Sequence, residues 1–246
     1  MLGVSSLCLI GHKLKDALEY LSKETDYVEI VSEGFHDVKK YGNVLDSFDF
    51  KYSIHLPFIG LDIANIRDEI RMASLKIMED SIDASIGQDP LIYVAHPGMI
   101  AAEHLKGENI EAFKKSVQYL SRLSSEYSVN IALENMPLKF LLLTQPDELR
   151  LIDGLKFCLD VGHANITKNL DEFLCEDIDH LHIHDNKGVY DDHLRLGSGN
   201  IDFKLVLERL KSKIRMPNIV LELNKKEDVD PSIKLLKPRW LSWQSG

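Results

Sequence analysis

Eight short apolar, β-branched runs recur along the chain, most of them followed by a helical stretch, and this alternation constrains the fold more than any other feature. The runs are Leu2–Leu9, Tyr27–Val31, Lys51–His55, Leu91–His96, Asn130–Glu134, Lys156–Asp160, His180–His184 and Asn218–Leu223. Most are near-continuous hydrophobic segments, the pattern of parallel strands buried on both faces. Helical stretches lie at Lys13–Ser22, Ile66–Ile86, Ile110–Ser125, Pro146–Ile152, Leu170–Cys175, Phe203–Lys211 and Glu227–Leu236. Only Gly34–Phe48, after the second run, is weak, with room for one short helix. Repeated strand-then-helix order implies right-handed crossovers and a parallel sheet. Eight such units in 246 residues fit one closed (β/α)8 TIM barrel better than an open sheet. A single domain over 1–246 is expected, with segment 238–246 as an appended surface tail.

Several function classes drop out early. No apolar run approaches the ~18 residues that span a bilayer. Met1–Ile10 has no basic region and no small-residue cleavage site, and reads as a first strand. The formal charge of −10 argues against a general nucleic-acid coat protein, yet leaves room for an enzyme with bound cations. Cys8, Cys158 and Cys175 are odd in number and widely spaced, so neither a disulfide framework nor a zinc knuckle fits. Cys8 and Cys158 are expected as buried core thiols and the compartment as a reducing cytoplasm. Gly197-Ser198-Gly199 has no following lysine for a phosphate-binding loop, and no Gly-x-Ser-x-Gly nucleophile turn is present. Lys225-Lys226 and Arg67–Arg71 read as solvated faces.

The chemistry gathers at strand ends, where a barrel of this kind places its active site. The third run ends in His55-Leu56-Pro57-Phe58, the fourth in His96-Pro97-Gly98 and the fifth in Glu134-Asn135. The sixth gives Asp160-Val161-Gly162-His163, the seventh His182-Ile183-His184-Asp185-Asn186-Lys187, and the eighth Glu222. A loop with Asp191-Asp192-His193 follows the seventh. Each residue has a plain structural reading. His55 can be a satisfied strand-end histidine, His96 can belong to the Pro-Gly turn, and Asp160 can cap a helix. His182 and His184 share one strand face, so one of them is expected to support the other rather than act itself. Glu134 and Glu222 resist such readings, because each stands in an apolar run where a lone carboxylate would be buried unpaired. Acids or histidines ending six consecutive strands are hard to explain as packing. Clustered carboxylates repel unless a cation neutralises them. Imidazole plus carboxylate suits zinc, with manganese or iron as alternatives.

These blocks, with Leu196-Gly197-Ser198-Gly199 and Leu221-Glu222-Leu223, make the chain resemble the xylose isomerase-like barrel superfamily. That superfamily includes endonuclease IV (AP endonuclease family 2) and many sugar-phosphate isomerases and epimerases. The resemblance runs from the second strand to Asn224. Carried over from endonuclease IV, it implies a first metal on His55, His96 and Glu134. A second would lie on Glu134, Asp160, His182 and Glu222, and a third on His163, Asp191 and His193. Carried over from the isomerases, it implies one metal on Glu134, Asp160, His182 and Glu222. In that branch Glu134 and Glu222 move protons and His163 contacts substrate. Phe58, Asn135, His184 and Lys187 are the remaining expected substrate contacts. Phe58-Ile59 would be either a wedge between bases or the cap of a sugar pocket. The complete third set tips the expectation toward a zinc-cluster phosphodiester hydrolase acting on abasic DNA. The alternative is a one-metal isomerase or epimerase of a small sugar or sugar phosphate. Two departures weigh against the nuclease: Gly34–Phe48 is short and lacks arginine, and the chain is shorter than is usual for that family.

Overall fold

Each strand sorts its side chains by alternation, and that sorting builds the barrel. In the computed structural model, which describes residues 1–213 and 216–244 (side chains through Lys237), eight parallel strands close on themselves in sequence order. They are β1 Leu2–Ser5, β2 Tyr27–Val31, β3 Lys51–His55, β4 Tyr93–Ala95, β5 Ile131–Glu134, β6 Lys156–Asp160, β7 His180–Ile183 and β8 Asn218–Leu221. The circle closes through β1 on β8, with Gly3 opposite Val220. The expected TIM barrel is therefore the fold.

Outward residues such as Ile30, Ile54, Leu133, Leu159, Ile183 and Leu221 join the helices in one continuous apolar core. Inward residues follow a period of two. On β4 to β6 they begin as a small apolar plug, Val94, Ala132 and Cys158. Two residues further along the chain the same face carries His96, Glu134 and Asp160. The strand pattern thus aims polar groups along the barrel axis toward the C-terminal mouth.

The helices are α1 Leu14–Leu21, α2 Val38–Tyr41, α3 Asp68–Ser85, α4 Lys106–Tyr127, α5 Val161–Thr167, α6 Leu170–Phe173, α7 Phe203–Lys211 and α8 Val229–Gln244. A 3-10 segment over Pro146–Ile152 fills the helical place between β5 and β6, where Glu148 accepts from the Thr144 amide at 2.8 Å. Three elements depart from expectation. β1 stops at Ser5, whose hydroxyl accepts from the Leu7 amide and turns the chain into a 3-10 segment over Ser6–Leu9. Cys8 therefore sits in that turn, buried as expected, as is Cys158. α5 begins directly after β6, because Asp160 caps it by accepting from the His163 amide. The final helix runs on through Pro238 to Gln244, so segment 238–244 continues a helix, while Ser245 and Gly246 lie outside the described residues. Among the described residues no helix is long and apolar enough to cross a membrane.

Candidate metal centre

All nine expected ligand positions converge at the barrel mouth. Glu134 is the junction. Its Oε1 lies 2.8 Å from His182 Nδ1, and its Oε2 lies 3.2 Å from His96 Nε2 and 3.4 Å from His55 Nε2. Three groups result in which one ligand atom per residue falls within 4.8 Å of the others: His55, His96, Glu134; then Glu134, Asp160, His182, Glu222; then His163, His184, Asp191, His193. The first two groups are those expected. The third gains His184.

The protons of this cluster are shared unequally. Burial pushes the Glu134 carboxyl up, but the His182 charge and hydrogen bonds from His182, His55 and His96 outweigh it and hold Glu134 well below the usual carboxylate range. Burial likewise opposes a charge on His163, yet Asp160 and Asp191 raise it well above an ordinary imidazole. His193, despite its burial, is raised to about 9 by its hydrogen bond to Asp191 and by the charges of Glu222, Asp191 and Asp160. Histidine protons thus do the neutralising that a cation would do. Asp160 shows what they leave undone. Its Oδ1 accepts from the His163 amide at 2.6 Å and faces His184 Nε2 at 3.2 Å, while its Oδ2 is buried with no partner. An orphaned carboxylate oxygen beside Glu134, Glu222 and His182 fits a divalent cation, and this nitrogen–oxygen donor set suits zinc or manganese. Cys158, His180 and His182 also lie within ligand distance of one another. Burial holds the Cys158 thiol far up, however, which keeps it protonated.

The outer group depends on a loop. His163 Nε2 is 3.1 Å from Asp191 Oδ2, and His193 Nε2 is 3.3 Å from the same oxygen. His193 adopts φ +44°, an uncommon conformation for a residue with a Cβ. Its Nδ1 lies 2.9 Å from the Glu222 carbonyl, and its own carbonyl accepts from Asn224. The fully buried Asp185 holds this loop down. Its carboxylate accepts from the amides of Asn186, Gly197, Gly199 and Ile201. Gly199 permits that approach, since a Cβ there would run into the Asn186 carbonyl and the Asp185 carboxylate. The Leu-Gly-Ser-Gly motif is therefore a cradle for Asp185.

The expected substrate contacts divide. Phe58 lines the cavity, with its ring 4.5 Å from that of His96 and 5.1 Å from that of His55. Asn135 cannot contact substrate with its side chain. It is fully buried, its Oδ1 accepts from the Asp160 amide at 2.7 Å, and its Nδ2 donates to the Asp160 carbonyl at 3.0 Å. His184 is also fully buried, stacked 3.9 Å from His193, and belongs with the ligands. Lys187 is exposed and does not line the cavity. Two residues were not expected as site residues. Glu33 accepts from the Phe58 and Ile59 amides at 2.8 and 2.7 Å and so places that aromatic ring. Glu29 lies fully buried inside the barrel, with His180 Nε2 2.8 Å from its Oε2 and His182 Nε2 2.7 Å from its Oε1. Its signal was present in the run Tyr-Val-Glu-Ile-Val, a lone acid among apolar residues like Glu134.

Known proteins resemble this chain over most of its length. The uncharacterized protein MJ1614 of Methanocaldococcus jannaschii is 35% identical over 245 residues, covering 96% of this chain and 98% of its own. A probable endonuclease 4 of Mycobacterium leprae is 25% identical over 182 residues, covering 69% of this chain and 72% of its own. Among solved structures, a D-tagatose 3-epimerase-like protein superposes with a TM-score of 0.90 at 29% identity, covering 99% of this chain and 98% of its own. The IolI protein with a bound zinc atom superposes with a TM-score of 0.75 at 20% identity, covering 98% and 97%, a likeness of fold. Residues 17–239, from α1 into α8, match one family over nearly the whole barrel, and the chain belongs to the xylose isomerase-like TIM barrel family.

Proposed function

We propose that this protein is a metal-dependent isomerase or epimerase of a small sugar or sugar phosphate. One observation carries the reading: Glu134 and Glu222, from β5 and from the end of β8, face one cavity of about 270 Å³ and share a ligand group with Asp160 and His182. That volume lies at the small end of ligand pockets and suits a compact substrate. The 29%-identical D-tagatose 3-epimerase-like neighbour supports it. The surroundings do not favour a duplex. Affinity for DNA comes from lysines and arginines that neutralise phosphates. Here the net charge is −10, and the segment after β2 has no arginine. The exposed residues after β2, β5 and β7 mix the apolar Phe35, Phe140 and Tyr190 with Lys39, Lys40, Lys139 and Lys187, so the weight against a duplex rests on the net charge.

A divalent cation held by Glu134, Asp160, His182 and Glu222 would polarise a substrate carbonyl or hydroxyl. The protein's own part is proton transfer and exclusion of water. One of the two glutamates removes a proton from the carbon beside the carbonyl, and the other returns one to the neighbouring carbon or to the opposite face. Phe58 and Met136 wall the cavity and limit the approach of water. His163, which lines the same cavity, is placed to meet a substrate hydroxyl.

Phosphodiester hydrolysis of the endonuclease IV type is the second reading, favoured by the assembled outer group His163, Asp191 and His193. A panel of ketoses and aldoses in deuterated water, with zinc or manganese, tests the first. Deuterium should enter at the carbon beside the carbonyl, and Glu134→Gln and Glu222→Gln should each slow the exchange by about 10³-fold. Metal-loaded protein that exchanges no sugar proton yet incises an abasic duplex would replace this reading with the second.

A further inference from the structure

Below the ligands the barrel interior holds a chain of buried polar groups, Tyr27, Ser53, Glu29 and His180. Tyr27 on β2 donates from its hydroxyl to Ser53 Oγ at 2.9 Å, and Ser53 donates to Glu29 Oε2 at 2.7 Å. Gly3 on β1 makes room for the Tyr27 ring, which a Cβ there would strike. His180 Nε2 meets the same Glu29 oxygen at 2.8 Å. The other oxygen, Oε1, lies 2.7 Å from His182 Nε2, off the line of a good hydrogen bond. His182 thus stands between two carboxylates, Glu29 at Nε2 and Glu134, 2.8 Å away, at Nδ1.

Burying a carboxylate this deeply is strongly unfavourable unless the charge is well paired. The β2 position could instead carry an apolar side chain like its neighbours Val28 and Ile30. The retained acid needs a reason, and the geometry supplies one. A neutral imidazole donates through one nitrogen and offers a lone pair at the other. An ionised carboxylate only accepts, so with a cation at Nδ1 in place of the hydrogen bond to Glu134, Glu29 would hold the remaining His182 proton on Nε2 and keep the Nδ1 lone pair for the metal. We infer that Glu29, steadied by Ser53, Tyr27 and His180, is the positioning residue that sets the tautomer and ring orientation of His182 for metal binding. The inference rests on the metal centre of the preceding reading and not on its substrate.

The decisive variants are Glu29→Met, similar in volume but without an acceptor, and Glu29→Gln, which keeps one acceptor oxygen. The probe is zinc or manganese alone, titrated against a competing chelator. Outer carboxylate partners of ligating histidines commonly change metal affinity by about 10–100-fold. Glu29→Met is expected to lose affinity in that range, and Glu29→Gln to recover part of it. Nitrogen-15 histidine spectra supply a readout that a merely structural role would not move. With zinc bound they should show His182 protonated at Nε2 in the wild type, and in Glu29→Met a signal divided between that form and one protonated at Nδ1. If Glu29→Met does not fold, the His182 tautomer in the wild type and in Glu29→Gln decides the matter. Wild-type affinity with an unchanged His182 spectrum in Glu29→Met, or a zinc-loaded wild type with His182 protonated at Nδ1, overturns the inference. A wild-type protein that binds no metal overturns the metal centre itself, a distinct result.

Discussion

The inner and outer ligand groups are built from the same residue types, but different things hold them. Glu134 and Asp160 end strands, His182 lies within one, and Glu222 directly follows β8; all four are buried. Their positions follow from barrel closure. Asp191 and His193 sit on the loop after β7, and the Asp191 side chain is 35% exposed. Their positions follow from the four amides gathered on Asp185 and from an uncommon backbone conformation at His193. The inner group is therefore a property of the sheet, and the outer group a property of one clamped loop. Chemistry that needs only the inner group should survive disturbance of the loop.

Glu134→Gln breaks the comparison hardest, because Glu134 serves the first two groups. Turnover is expected to fall by about 10³-fold, the middle of the range for a lost acid–base group, and bound metal per chain should fall with it by elemental analysis. Asp185→Ala comes next and acts on the outer group alone. Losing a carboxylate that accepts several buried amides is expected to cost about 3 kcal/mol in chemical denaturation. Faster proteolysis within 188–201 should accompany it while the far-ultraviolet spectrum is kept. Gly162→Ala is a finer test. Alanine would favour helix α5 by about 1 kcal/mol, but its Cβ would strike the His184 ring. Overpacking of that kind costs about 1–3 kcal/mol, so a small net loss of stability is expected, with His184 displaced from Asp160 in a crystal structure. His193→Ala sharpens the comparison with the smallest effect. If the inner group suffices, sugar turnover falls less than about tenfold, well short of the loss of an acid–base residue. A loss as large as that of Glu134→Gln would show that the two groups act as one centre, as the hydrolytic reading requires.

Much of this was legible in the chain. The eight strands were found within a few residues because runs buried on both faces are apolar throughout, and Lys51–His55 and Lys156–Asp160 match to the residue. The helix α5 was missed because Val-Gly-His-Ala-Asn carries no helical stripe, and only the Asp160 cap starts it. Asn135 and His184 were read as substrate contacts because a polar residue next to a ligand looks available in one dimension. Folding spends both on their neighbours: Asn135 locks the end of β5 to Asp160 on β6, and His184 turns inward against Asp160 and Asp191.

By itself the sequence determined the strand order, the barrel, and the polar residues that each strand carries to the mouth. Those follow from local periodicity, which one strand expresses without help from any other. Only the tertiary structure decided which polar groups meet. Glu29 reaches His180 across 151 residues, Glu134 reaches His182 across 48, and His184 joins the outer group because Gly162 leaves it room. Such meetings depend on closure of the sheet, because residues far apart in the chain share the barrel axis only once the eighth strand has paired with the first.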